Sequence, residues 1–125
     1  MDRGTHKAHI VRATLEGVAL QTKDLLDALQ LQDRIFIDGG MTQSNFFCQC
    51  LANVLGQSIY KAQEKEQTAM GAFGLAGSII GWWSLREWQS RQRQYQVFQP
   101  SMSKKEREHL LAQWTKAIGK AKAWV

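Results

Sequence analysis

The apolar positions of this chain change period several times, and each change marks an element. From Lys7 to Gln30, Val11, Leu15, Val18, Thr22, Leu25 and Leu29 recur every three or four residues, while Arg12, Glu16, Lys23 and Asp27 fall largely elsewhere. That spacing predicts a long amphipathic helix with a single apolar face. Thr5 is a candidate cap in the loop before it. Leu31 to Arg34 is a polar link, and Ile35-Phe36-Ile37-Asp38 then opens with a continuous apolar run. Such a run reads as a strand buried on both faces, in the middle of an α/β sheet. Phe46/Phe47, Cys50/Leu51 and Val54/Leu55 repeat every four residues and predict a helix from Asn45 to Leu55, with Gly56 as its C-terminal cap. Ser58 to Ala62 alternates and predicts a second strand.

After a loop, Gln63-Glu64-Lys65, a third helix is predicted from Glu66 to Ile80 and ended by Gly81-Trp82-Trp83. Gly71, Gly74 and Gly77 lie within it. Each glycine costs a helix up to ~1 kcal/mol against alanine, so three of them imply close approach to a neighbour. Leu85 to Gln89 reads as a short helical turn, and Gln94 to Phe98 as an extended edge segment interrupted by Pro100. Ser103 and Glu106 have the spacing of a capping box. In the last helix, Leu110, Trp114, Ala117, Ile118 and Ala121 form the apolar face. Helices alternating with strands predict an α/β fold.

Composition narrows the function classes. The chain has 125 residues, 44% hydrophobic and 22% charged, as expected of one soluble domain. No repeat period is present, and Met1-Asp2-Arg3-Gly4 has no signal-peptide core. The longest uncharged stretch, Gln67 to Leu85, is broken by glycine, serine, Gln67 and Thr68, which suits a core helix and not a membrane span. The net charge of +5 is scattered except at Arg91/Arg93 and Lys104-Lys105. No basic stripe with interleaved aromatics exists for stacking bases. We therefore expect neither nucleic acid nor a membrane as partner. Cys48 and Cys50 are two apart, about 200° around a helix. They share neither a metal nor a disulfide in that geometry, and two reduced thiols suit the cytoplasm.

One stretch carries candidate chemistry. Asp38-Gly39-Gly40 follows a strand and precedes a helix start at Asn45. Glycine lets a ligand approach the backbone, and a helix start offers free N–H groups and a positive dipole end to a phosphate. Asp38 is either a strand-end carboxylate with a chemical role or one that binds turn N–H groups. His6, His9 and His109 read as surface or cap residues. No triad, metal spacing or P-loop motif is present.

Taken together these motifs resemble the C-terminal part of the FGGY family of carbohydrate kinases. The residues that carry the resemblance are Arg3-Gly4-Thr5 with Ala8 to Glu16, Gln21 to Asp24, and Asp38-Gly39-Gly40 with Asn45-Phe46. Glu66, Thr68, Ala69, Gly71 and Ala72 continue it, as do Leu75-Ala76-Gly77, Gly81-Trp82, Trp114, Ala117, Ala121 and Trp124. Asp38 before the two glycines, where many members have a third glycine, points to members that act on glycerol. Many members also place asparagine at the position of Ser44, whereas here it stands at Asn45.

The resemblance implies a fragment of the ribonuclease H-like, actin-like ATPase fold, with residues 1–125 a partial C-terminal domain. It implies ATP or ADP as cofactor, with Gly39, Gly40 and Ser44 or Asn45 near the adenosine and α-phosphate. Mg²⁺, the glycerol site and the catalytic aspartate belong to a part of the family enzyme outside this chain. The implied function is the nucleotide-side piece of an ATP-dependent kinase converting glycerol to glycerol 3-phosphate, inactive alone. Alternatives are a kinase of another small polyol or sugar, or an interaction domain derived from such a kinase. Open strand edges and an uncovered first helix further predict a homo-oligomer.

Overall fold

The computed structural model describes residues 1–31, 33–63, 66–91 and 94–123. Parts of the expected loops at Leu31–Arg34 and Gln63–Lys65, together with Arg93 and Trp124, lie outside the described residues. The elements are α1 (Lys7–Ala28), β1 (Ile35–Ile37), a 3₁₀ turn (Gly40–Gln43), α2 (Asn45–Leu55), β2 (Ile59–Ala62), α3 (Gln67–Ile79), α4 (Leu85–Gln89), β3 (Tyr95–Phe98) and α5 (Lys104–Lys122). The strands form one sheet in the order β1-β2-β3. β1 and β2 are parallel, with Ile35 beside Ile59, and are connected through α2. β3 runs antiparallel to β2 and sets Phe98 beside Ile59.

The core forms around α2. The helix buries Phe47, Cys48, Leu51, Ala52 and Val54, so the buried face includes Cys48 and Ala52 and leaves Phe46 of the expected repeat exposed. They pack with Ile59 and Phe98 of the sheet and with Ala19 and Leu20 of α1. A fully buried aliphatic or aromatic side chain stabilises by ~1.5–3 kcal/mol, so this one helix carries much of the folding free energy. Both its ends are fixed. Ser44 Oγ accepts the Phe47 N–H at 3.2 Å. Gly56 terminates it at φ 68°, in the left-handed region, and Arg107 donates to the Leu55 carbonyl at 3.1 Å. Asn53 Oδ1 accepts the Ser101 N–H at 2.7 Å. Trp114 Nε1 donates to Asp24 at 2.7 Å and ties α5 to α1. The Ser103–Glu106 capping box opens α5 as expected.

Four expectations are corrected. First, β1 is an edge strand and not a central one. Ile35 and Ile37 pack on the core, but Phe36 is 54% exposed on the opposite face, against the rings of Tyr60 and Tyr95. Second, the buried stripe of α1 centres on Leu15, Val18, Ala19 and Leu20, while Val11, Leu25 and Leu29 are exposed. The reason is length. At 1.5 Å per residue the 11 residues of α2 can cover only about half of the 22 residues of α1. Third, Ala117 and Ala121 of α5 are exposed, and Leu110, Leu111 and Trp114 make its contact. Fourth, the cap of α1 is His6, whose N–H donates to His9 Nδ1 at 3.0 Å. Thr5 is held in a turn with Asp2.

The glycines of α3 separate into two kinds. A Cβ on Gly74 would lie 2.0 Å from the Trp88 ring, and one on Gly77 would lie 2.1 Å from the Trp83 ring. The two indoles stack at 5.1 Å, and Trp83 Nε1 donates to the Gly74 carbonyl at 2.9 Å. Gly71 faces open space. The two positions should therefore respond with opposite sign. Gly71→Ala should stabilise by up to ~1 kcal/mol through helix propensity, and Gly74→Ala should destabilise by ~1–3 kcal/mol through overpacking. Urea unfolding measures both; stabilisation by Gly74→Ala would show that the tryptophan contact does not hold.

Candidate functional site

The turn after β1 is built by backbone geometry and two small side chains. Gly39 adopts φ 101° and ψ 175°, a conformation that is strained for any residue with a Cβ. The chain then winds through the 3₁₀ turn Gly40–Gln43 into α2. Thr42 is buried and closes the turn, with Oγ1 donating to the Gly39 carbonyl at 2.7 Å. The Cys48 thiol donates to the Thr42 carbonyl at 3.4 Å. Burial pushes the Cys48 thiol pKa up, which keeps it a protonated donor there. Cys50 is raised too, first by burial and then by Glu16. Both cysteines are free.

The turn opens on a cleft of about 250 Å³, bordered by Asp38, Gly39, Thr42, Gln43 and Lys61 among others. A second hollow of about 400 Å³, on the aromatic face of the sheet, includes Asp38, Phe36 and Tyr95. Both sit at the carboxyl ends of the parallel strands β1 and β2, where ligands of open α/β sheets bind. Asp38 borders both and makes no hydrogen bond to a described residue. Closing the turn falls instead to Thr42, so the turn-binding role considered for Asp38 is not what the structure holds.

Of the residues singled out in the sequence, Gly39 lines the first cleft. Gly40 begins the 3₁₀ turn with ordinary backbone geometry, and a Cβ there would meet nothing within 4 Å. Ser44 Oγ accepts the Phe47 N–H as the cap of α2 and retains a hydroxyl proton to donate. Asn45 is the first, exposed residue of α2. Thr42, Gln43 and Lys61 were missed. The signal available for Lys61 was a cation near the end of an otherwise apolar strand. Thr42 gave none, since its role arises from the turn and not from any residue pattern.

No group of three or more histidine, cysteine, aspartate or glutamate side chains among the described residues is placed to hold a metal. No described helix is long and apolar enough to cross a membrane.

Residues 1–80 match the model of the FGGY family of carbohydrate kinases, C-terminal domain. The chain belongs to that family. The glycerol kinase of Nitratidesulfovibrio vulgaris (strain DP4) is 41% identical over 98% of this chain. That of Petrotoga mobilis is 38% identical over all of it. Among solved structures, Plasmodium falciparum glycerol kinase with ADP superposes with a TM-score of 0.81 at 33% identity over 96% of the chain. A ligand-bound xylulose kinase from Lactobacillus acidophilus shares the fold, with a TM-score of 0.68 at 24% identity. The architecture is thus the actin-like α/β fold of these FGGY kinases, in part. The chain spans only 26% of the length of the curated glycerol kinases and 25% of the Plasmodium chain.

The two glycines of the turn after β1 have different standing in the fold. Gly39→Ala should cost ~1–3 kcal/mol because of its φ. Gly40→Ala should change stability by no more than ~0.5 kcal/mol, as at an unconstrained surface position. Thermal unfolding of the two variants checks this, and equal losses would refute the distinction.

Proposed function

We propose that this chain is the nucleotide-side piece of an ATP-dependent glycerol kinase, with residues 1–125 a partial C-terminal domain of that enzyme. The observation that carries the reading is the cleft at the carboxyl ends of β1 and β2, lined by Asp38 and the strained Gly39, in a chain that superposes on a glycerol kinase solved with ADP at a TM-score of 0.81 and 33% identity. Gly40 follows Gly39 with open space beside it, and the superposition supports adenosine as the ligand of this turn.

In this reading Gly39 and Gly40 let the nucleotide lie against the backbone. Ser44 donates its free hydroxyl proton, and Asn45 stands exposed beside it at the amino end of α2. That helix end adds exposed N–H groups and a positive dipole end toward the phosphates. Mg²⁺, when bound, would neutralise charge on the transferred phosphoryl group. In this reading its ligands, the glycerol contacts and the base that takes the hydroxyl proton lie in the rest of the enzyme. The chain contributes one wall of a cleft whose chemistry depends on alignment. Two free cysteines suit a cytoplasmic enzyme.

Two measurements test the proposal. The isolated chain with glycerol and MgATP should give only background turnover; a rate near ~10 s⁻¹, ordinary for an enzyme, would overturn the assignment as a partial site. ADP should bind the isolated chain, and Gly40→Val should weaken that binding at least ~10-fold while Gly71→Ala leaves it unchanged, a loss of ~1.4 kcal/mol. Undiminished binding by Gly40→Val would remove adenosine from this turn.

A further inference from the structure

The net charge of this chain is collected by one helix. α5 holds six of the 16 lysines and arginines and two of the 11 aspartates and glutamates, so it carries +4 of the net +5. Its two acids are engaged: Glu106 closes the capping box with Ser103, and Glu108 lies 3.8 Å from Lys104. From His109 to Lys122 there is no acidic side chain. By helical period Lys105, His109, Gln113, Lys116 and Lys120 fall on one strip, about 22 Å long. All five are exposed, and the strip lies opposite Leu110, Leu111 and Trp114, which pack on the core. His109 and Gln113 are bonded to each other at 3.0 Å. Lys105, Lys116 and Lys120 make no ion pair with a described residue. The helix dipole favours Lys120 in the last turn, but it disfavours Lys105 in the first, and Lys116 repels Lys120 one turn away. The stability of the helix therefore does not account for the strip.

We infer that the exposed face of α5 is a peripheral docking surface for the anionic headgroups of a phospholipid bilayer. A cluster of roughly 4–8 lysines and arginines on an amphipathic helix attracts acidic lipid, and α5 has six. The residue types favour lipid over other polyanions. The cations of the strip are lysines, flexible point charges that suit a fluid layer of headgroups, and the planar fork of arginine, which reads fixed phosphates, is absent from it. No aromatic side chain lies on the strip to stack a base. Such a contact needs no membrane-spanning segment, and no described helix provides one. Because charge holds it, it is reversible and screened by salt. No residue of α5 lines either hollow at the strand ends, so docking leaves the proposed nucleotide turn open and does not depend on it.

Co-sedimentation of the chain with vesicles tests the inference, mixed phosphatidylserine–phosphatidylcholine against phosphatidylcholine alone. Two triple variants of equal net charge are compared: Lys105→Gln/Lys116→Gln/Lys120→Gln on the strip, and Arg3→Gln/Lys7→Gln/Arg86→Gln away from it, all at exposed positions. The parent chain should bind the acidic vesicles and not the neutral ones, and ~0.5 M salt should release it. The strip variant should bind at least ~10-fold more weakly than the parent, and the other variant within ~2-fold of it. Equal losses in the two variants would assign binding to net charge at large and overturn the inference. Equal binding to neutral vesicles would overturn it too, in favour of exposed apolar side chains such as Ile79 and Trp82. So would a chain that ignores acidic vesicles, or one that binds duplex DNA more tightly than those vesicles at the same salt, which would make nucleic acid the partner.

Discussion

The burial of α2 between the sheet and α1 is the constraint on which the rest of this structure depends. Val54 and Cys48 of α2 and Ile59 of β2 are the largest side chains with no measurable exposure, and they meet where helix, strand and α1 converge. Because α2 is the crossover between two parallel strands, its position fixes the register of β1 on β2 and the course of the turn that leaves β1. The candidate site is therefore a by-product of core packing. Thr42 and Cys48 connect the two directly: the same residue that fills the core also hydrogen-bonds the turn.

The capping interactions around α2 show how a short helix is held in place. Arg107 reaches from α5 to the carboxyl end of α2, where a cation meets the unpaired carbonyls and the negative end of the dipole. It also fills the space beside Gly56, where an added Cβ would fall on the guanidinium. Asn53 orders the segment before α5 through the Ser101 N–H. Elements distant in sequence are thus positioned by hydrogen bonds to one helix, so α5 docks although none of its residues is buried.

Much of this fold was legible in the sequence, for reasons that differ by element. The span of α2 was readable because its four-residue apolar repeat and its Gly56 stop agree. The capping box of α5 and the close packing of Gly74 and Gly77 followed from local chemistry. The edge position of β1 was not readable, because Ile35-Phe36-Ile37 has the same apolar character whether or not a neighbour exists to cover Phe36. Likewise the stripe of α1 has the right period, but only the length of α2 decides how far along it burial extends. In the site, the two glycines stood out through their residue type. Thr42 and Lys61 did not, since the cleft they line exists only once β1 and β2 lie side by side.

The aromatic packing of α3 and α4 has a consequence for how this molecule looks to a spectrometer. Three of its five tryptophans, Trp82, Trp83 and Trp88, stand together with Phe73, and Arg91 lies 4.7 Å over the Trp88 ring. Among the described residues the α2 core contains no tryptophan; Trp114 borders it and bonds Asp24 of α1. Three of the four described indoles thus report on the coupled rings of the α3–α4 corner and one on the edge of the core. An optical melting curve of this protein watches a corner more closely than the helix that holds the domain together.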